Sequence, residues 1–136
     1  MPKKLKEREL EKGNRFFPHF SETFNSNDSK PYFSFKHLSN THCISKCDKD
    51  EKSDFADTMY KLSQLTWIQI INSHRHGLGT EKIHQSSIKQ PRPVSITEDV
   101  VFLAIRFSGM KPMVGFRRNA TFYPIWFDRT FDVYDH

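Results

Sequence analysis

Between Val100 and His136, apolar and polar residues alternate with the period of two that a half-buried strand requires, and four strands are predicted there. Val101, Leu103, Ile105 and Phe107 share one side of the first, with Arg106 on the other beside Val100, Phe102 and Ala104. Ser108-Gly109 opens a turn that Pro112 bounds. In Met113–Arg118, Val114 and Phe116 point opposite to Met113 and Arg117, and Asn119-Ala120 supplies the next tight turn. Thr121–Asp128 contains Pro124, which lacks the N–H a central ladder uses, so an edge or a bulge is expected. In the last strand Phe131 and Val133 face one way, and Tyr134 and His136 share the other. The sequence stops on that histidine, so an imidazole and a carboxylate are expected at a structurally fixed place.

Upstream the period changes. Phe55, Met59, Leu62 and Leu65 fall on one helical stripe behind a Ser53-Asp54 cap. Thr66 and Gln69 have capping-box spacing, which predicts a second helix burying Trp67, Ile70 and Ile71 and ending at Gly77 and Gly79. The pair reads as a tight helical hairpin. Before it, residues 31–38 alternate as a strand, with His42 to Lys46 as its hairpin partner across Ser39-Asn40-Thr41. Residues 77–99 form a loop long enough to hide a short strand or turn. Phe16, Phe17, Phe20 and Phe24 suit one face of a short helix, interrupted by Pro18. Residues 1–15 read as a basic, mobile tail and 16–136 as one α+β domain.

Composition narrows the class. Hydrophobic residues make up only 36% of the 136, but thirteen are Phe, and aromatic rings bury enough area for a core. The net charge of +5 is spread along the chain and is compatible with nucleic acid without requiring it. Two cysteines are too few for a disulfide scaffold. No apolar run approaches the roughly 20 residues of a spanning helix, and no secretory signal follows the N-terminal charges, so a soluble, cytoplasmic protein without a membrane partner is expected. Gly-rich phosphate loops, G-x-S-x-G, H-E-x-x-H and the dinucleotide fingerprint are all missing from the sequence.

Three groups of residues remain as candidate chemistry. Tyr134 and His136, with Arg117, combine a group that titrates near neutrality with a permanent cation. They suit metal-independent cleavage of RNA, in which the 2′-hydroxyl loses a proton to a base and attacks the adjacent phosphate. The competing interpretation is a polar terminus in solvent. His74-Arg75-His76 reads as a metal pair, a phosphate contact or simply a favourable cationic helix end. Histidines two apart do not share a helix face, which disfavours the metal pair. His42, Cys43 and Cys47 supply three zinc-type ligands where a structural site wants four, so no metal and no cofactor are expected.

Arg106-Phe-Ser-Gly109, Val114-Gly-Phe-Arg117, Phe122-Tyr-Pro-Ile-Trp-Phe-Asp128 and Val133-Tyr-Asp-His136 together resemble the RelE/HigB/YoeB group of bacterial toxins. The resemblance covers roughly residues 53–136 and leaves the first fifty as an N-terminal extension. It implies a helical hairpin packed on a small antiparallel β-sheet. It also implies a ribonuclease toxin of a toxin–antitoxin module that cleaves mRNA, on or off the ribosome, inhibits translation and is silenced by a cognate antitoxin protein. Carried over by position, it makes His136, Tyr134 and Arg117 catalytic, Arg117 being the phosphate clamp. Arg106, Arg118, Lys82 and Lys89 become RNA-binding residues. The alternative is a non-catalytic nucleic-acid- or protein-binding module of phage or plasmid origin, in which the aromatics and arginines are interface anchors.

Overall fold

The computed structural model describes residues 25–73 and 77–136. The tail expected at 1–15, the helix expected through Phe16, Phe17, Phe20 and Phe24, and the run His74-Arg75-His76 lie outside these residues. The described residues form an α+β fold of two helices and a five-stranded sheet. In chain order the elements are β1 (Tyr32–Phe33), α1 (Lys49–Ser63), α2 (Trp67–Ile71), β2 (Glu81–Ile83), β3 (Phe102–Ser108), β4 (Lys111–Arg118) and β5 (Thr121–Phe127). The sheet order is β1-β5-β4-β3-β2, with β1 parallel to β5 and every other pairing antiparallel.

Helix α1 starts earlier than its apolar stripe suggests. Asp48, not Ser53-Asp54, is the N-cap: its carboxylate accepts from the Glu51 N–H and the Glu51 carboxylate accepts from the Asp48 N–H, both at 2.8 Å. The first turn, Lys49 to Lys52, carries no apolar residue, so hydrophobic periodicity has nothing to register there. Helix α2 begins at the expected Thr66–Gln69 capping box but ends at Ile71, capped by Asn72, well before the glycines.

Two cores sit on the two sides of the sheet. On the helix side Leu62, Trp67 and Ile70 pack against Ile105, Phe107, Met113, Phe122 and Phe127, joined by Phe55, Met59 and Leu65 of the expected stripe. On the other side Phe102, Ala104, Val114, Phe116 and Trp126 are covered by Ile88, Ile96, Val133 and Tyr134. Among the described residues no α-helix covers that second side. The connection between β2 and β3 and the C-terminal segment do so.

Three strand expectations change. The strand at 31–38 shrinks to two residues, and the chain instead runs along β5, with Ser34 N–H donating to Phe122 C=O and Ser39 N–H to Ile125 C=O. His42 to Lys46 is no hairpin partner: His42 C=O accepts from Phe127 N–H, and Ile44–Lys46 is a 3₁₀ turn. Residues 129–136 form no strand but lie across the sheet face, with a single bridge between Tyr134 and Ile88. Alternation describes which side chains are apolar; it does not supply the neighbouring edge that a ladder needs. The loop at 77–99 does hide a strand, β2.

Pro124 lies in the expected bulge. Val114 pairs with Trp126 and Gly115 with Pro124, so Ile125 is the extra residue. Gly115 makes this possible, because a Cβ there would stand 2.0 Å from the Tyr123 carbonyl oxygen. Among the described residues no helix is long and apolar enough to cross a membrane.

Candidate functional site

Asp128 follows β5 and is fully buried. Its carboxylate accepts from the Asp132 N–H at 2.9 Å, the Val133 N–H at 3.3 Å and the His136 Nε2 at 3.0 Å. A buried carboxylate needs such donors to offset lost hydration. Asp128 therefore folds the terminal segment back over the sheet and anchors the imidazole with one carboxylate. In the tautomer that donates from Nε2 to Asp128, Nδ1 keeps its lone pair and is left for chemistry. Further ties hold the segment down: His42 Nε2 to the Asp132 carboxylate at 3.0 Å, Gln90 to the Asp132 carbonyl at 2.9 Å, and Lys89 N–H to the Val133 carbonyl at 2.7 Å.

The anchored ring stacks on Tyr134, with centroids 4.0 Å apart, and meets the edge of Phe131 at 4.8 Å. These residues border a cleft of about 600 Å³ together with Glu81 of β2, Arg106 of β3, Gly79, Thr80, Met110, Pro112 and Asp135. Burial, then the negative charges of Glu81 and Asp128, push the Tyr134 phenol up to about 12, against a smaller opposing pull from Arg106. The phenol is thus a neutral hydrogen-bond donor across the physiological range. The cleft collects a guanidinium, a phenol, the carboxylates of Glu81 and Asp135, and an oriented imidazole.

Arg106 also borders a second, polar cleft of about 320 Å³, lined by Asp54, Asp57, Lys61 and Ser108. Its aliphatic stem lies on Gly79, where a Cβ would stand 2.5 Å from Arg106 Cδ. Gly79 has a φ of +69°, so both the backbone and the neighbour demand the missing side chain.

Arg117, expected to be the phosphate clamp, is elsewhere. Its guanidinium stacks 4.4 Å over Trp67 in the helix-side core, while Tyr134 belongs to the core on the opposite side. Its donors go to Ser26 Oγ at 2.9 Å, Asn27 Oδ1 at 2.6 Å and the Asn119 carbonyl at 2.7 Å. Burial lowers its pKa from the ordinary value. Alternation put Arg117 on the opposite side from Val114 and Phe116, but not on the side where the C-terminal segment would settle. Arg118 lies 5.5 Å over the Phe116 ring; burial, then the charges of Lys36 and Arg118, lower the pKa of His37. Lys82 borders a separate cleft of about 200 Å³ with Arg117 and Val101. Lys89 pairs with the cleft residue Asp135 at 3.0 Å. Of the residues named from sequence, the structure therefore brings together Arg106, Tyr134 and His136, with Lys89 adjoining through Asp135. It leaves Arg117, Arg118 and Lys82 apart from them.

Glu81 and Asp128 have no site role in the sequence reading, which marks Gly79 only as a helix end. Glu81 stood inside an unassigned loop, and Asp128 carries no local mark of burial. Cys43 and Cys47 are free thiols, and the described residues hold no group of three or more His, Cys, Asp or Glu placed to ligate a metal. No protein-family model, curated protein or solved structure matches this chain.

Proposed function

We propose that the 600 Å³ cleft is the site of an endoribonuclease, a toxin of the RelE/HigB/YoeB kind that cuts mRNA in the cytoplasm and is restrained by an antitoxin. One observation carries the reading: Arg106, Tyr134 and an Asp128-anchored His136 line the same open cleft. Two helices on one side of a mostly antiparallel sheet support it as well.

The chemistry follows from the groups. His136 Nδ1 takes the proton of the 2′-hydroxyl, and Asp128 stabilises the imidazolium that forms. The 2′-oxygen attacks phosphorus while Arg106 neutralises the growing charge on the non-bridging oxygens. The P–O5′ bond breaks as the leaving oxygen takes the Tyr134 phenolic proton, and the imidazolium returns a proton to the phenolate through solvent. The products are a 2′,3′-cyclic phosphate and a 5′-hydroxyl. Burial, with the charges of Glu81 and Asp128 beside it, keeps the phenol protonated until that step.

The test is cleavage of RNA in EDTA, with and without ribosomes, followed by identification of the cyclic phosphate. His136→Ala and Arg106→Ala are expected to lose at least ~100-fold in rate, the scale of one transition-state donor or proton-transfer group. Full activity of either variant overturns the assignment. RNA that is retained but intact identifies a binding module that uses the same cleft without chemistry.

A further inference from the structure

Four described residues have a positive φ: Gly79, Gly109, Asn119 and Phe131. Glycine and asparagine are the residues such backbone tolerates. A bulky aromatic is not, and a side chain held in that region points to a role that outweighs the strain. Phe131, at φ +59°, does not stabilise a core, because it belongs to neither buried cluster and is 42% exposed. The Asp128 carboxylate fixes its backbone by gripping the N–H groups of Asp132 and Val133 just beyond it. The ring is thereby set edge-on to His136 on the rim of the cleft, whose lining also includes Met110, 63% exposed.

An exposed aromatic and a thioether on a cleft that also holds a guanidinium fit a ligand that is flat and apolar in one part and anionic in another. We infer that Phe131 is a stacking platform for a nucleobase, so that the cleft takes an unstacked nucleotide of single-stranded RNA. The base lies against Phe131 and Met110 while its phosphate meets Arg106. A duplex offers no free base face and is refused. This rests on the nuclease reading for its ligand class, but it concerns recognition and is measured without cleavage.

The probe is a fluorescent, 2′-O-methylated single strand, which cannot be cut by 2′-oxygen attack. Phe131→Gly relieves the backbone strain and removes the ring; Phe131→Leu removes the ring and keeps the strain. Both are expected to weaken binding by roughly 5- to 150-fold, the range for loss of one base–aromatic stack. Phe131→Trp retains it. The same sequence as a duplex binds the wild type at least tenfold more weakly. A strand with one abasic position, moved along the probe, loses affinity for the wild type at a single position and loses nothing further with Phe131→Gly.

Equal binding by Phe131→Gly and wild type, with thermal unfolding showing both folded, overturns the inference. So does an abasic penalty of the same size in both proteins. Phe131-dependent binding by a wild type that leaves unmodified RNA intact sustains the platform and removes the nuclease reading. Cleavage by a wild type whose binding ignores Phe131 does the reverse.

Discussion

Arg106 and Arg117 lie on neighbouring strands of one sheet and have opposite fates. Arg117 is consumed by the fold: it stacks on Trp67, bonds Ser26, Asn27 and the Asn119 carbonyl, and ties the start of the described chain to the β4–β5 turn. Arg106 borders two clefts, one of which also holds Tyr134 and His136. The difference comes from what covers each side of the sheet. Helices give one side a closed core, whereas an irregular segment bound through Asp128 leaves the other side open at its margin. A cation next to the open side is available to a ligand; one facing the helices has already been used.

The sharpest way to break this contrast is to remove each arginine in turn. Arg106→Ala is expected to lose at least ~100-fold in RNA cleavage with little change in melting temperature. Arg117→Ala is expected to keep most activity per folded molecule and lose roughly 2 kcal/mol of stability, as denaturant unfolding would read it. Exchange of these two phenotypes would refute the division.

Next in size is the buried carboxylate of the helix side. Glu51 is 2% exposed, bonded to Lys111 at 2.7 Å and Arg129 at 2.5 Å, and it closes the α1 capping box. Glu51→Gln breaks this set and is expected to cost about 3 kcal/mol, since it leaves two cations without their carboxylate. RNA binding by the protein that remains folded should not change.

The same group predicts an acid limb of stability. Burial raises the Glu51 carboxyl, but hydrogen bonds from Lys111, the Asp48 N–H and Arg129 outweigh it and hold the pKa at about 2, below the ordinary 4.5. A depressed folded pKa contributes stability that is complete above the unfolded value and is lost as pH falls through the folded one. The loss therefore runs from about pH 4.5 down to pH 2 and amounts to at most ~3 kcal/mol. Equilibrium unfolding across that window should show the limb in the wild type and a reduced one in Glu51→Gln.

The smallest expected effect separates Gly79 from Gly109. Both have positive φ, but a Cβ at Gly79 meets the Arg106 stem while one at Gly109 meets nothing within 4 Å. Gly79→Ala and Gly109→Ala should share a stability loss of about 1 kcal/mol. Only Gly79→Ala should also lower the apparent affinity for a single-stranded oligonucleotide, severalfold, by displacing Arg106.

Much of the architecture was legible along the chain. The Thr66–Gln69 box, the stripe through Phe55 and Leu65, the three strands of the β3–β5 meander and the bulge at Pro124 each rest on neighbours within a few residues. Local spacing and backbone sterics determine them, so the amino-acid order alone carries them. The start of α1 at Asp48 is also local, but its first turn lacks the apolar residues by which a helical period shows itself.

Tertiary structure decided which arginine shares a cleft with His136. Period-two alternation separates the two sides of a strand but does not say which side the helices take. That assignment depends on Trp67, on Asp128 gathering donors up to eight residues ahead, and on Glu81 arriving from a strand hidden in a loop. Contacts between residues distant in sequence leave no period behind them. Amino-acid order determined the strands, the caps and the supply of aromatic and basic groups; burial, decided only on folding, sorted those groups into fasteners and an open cleft.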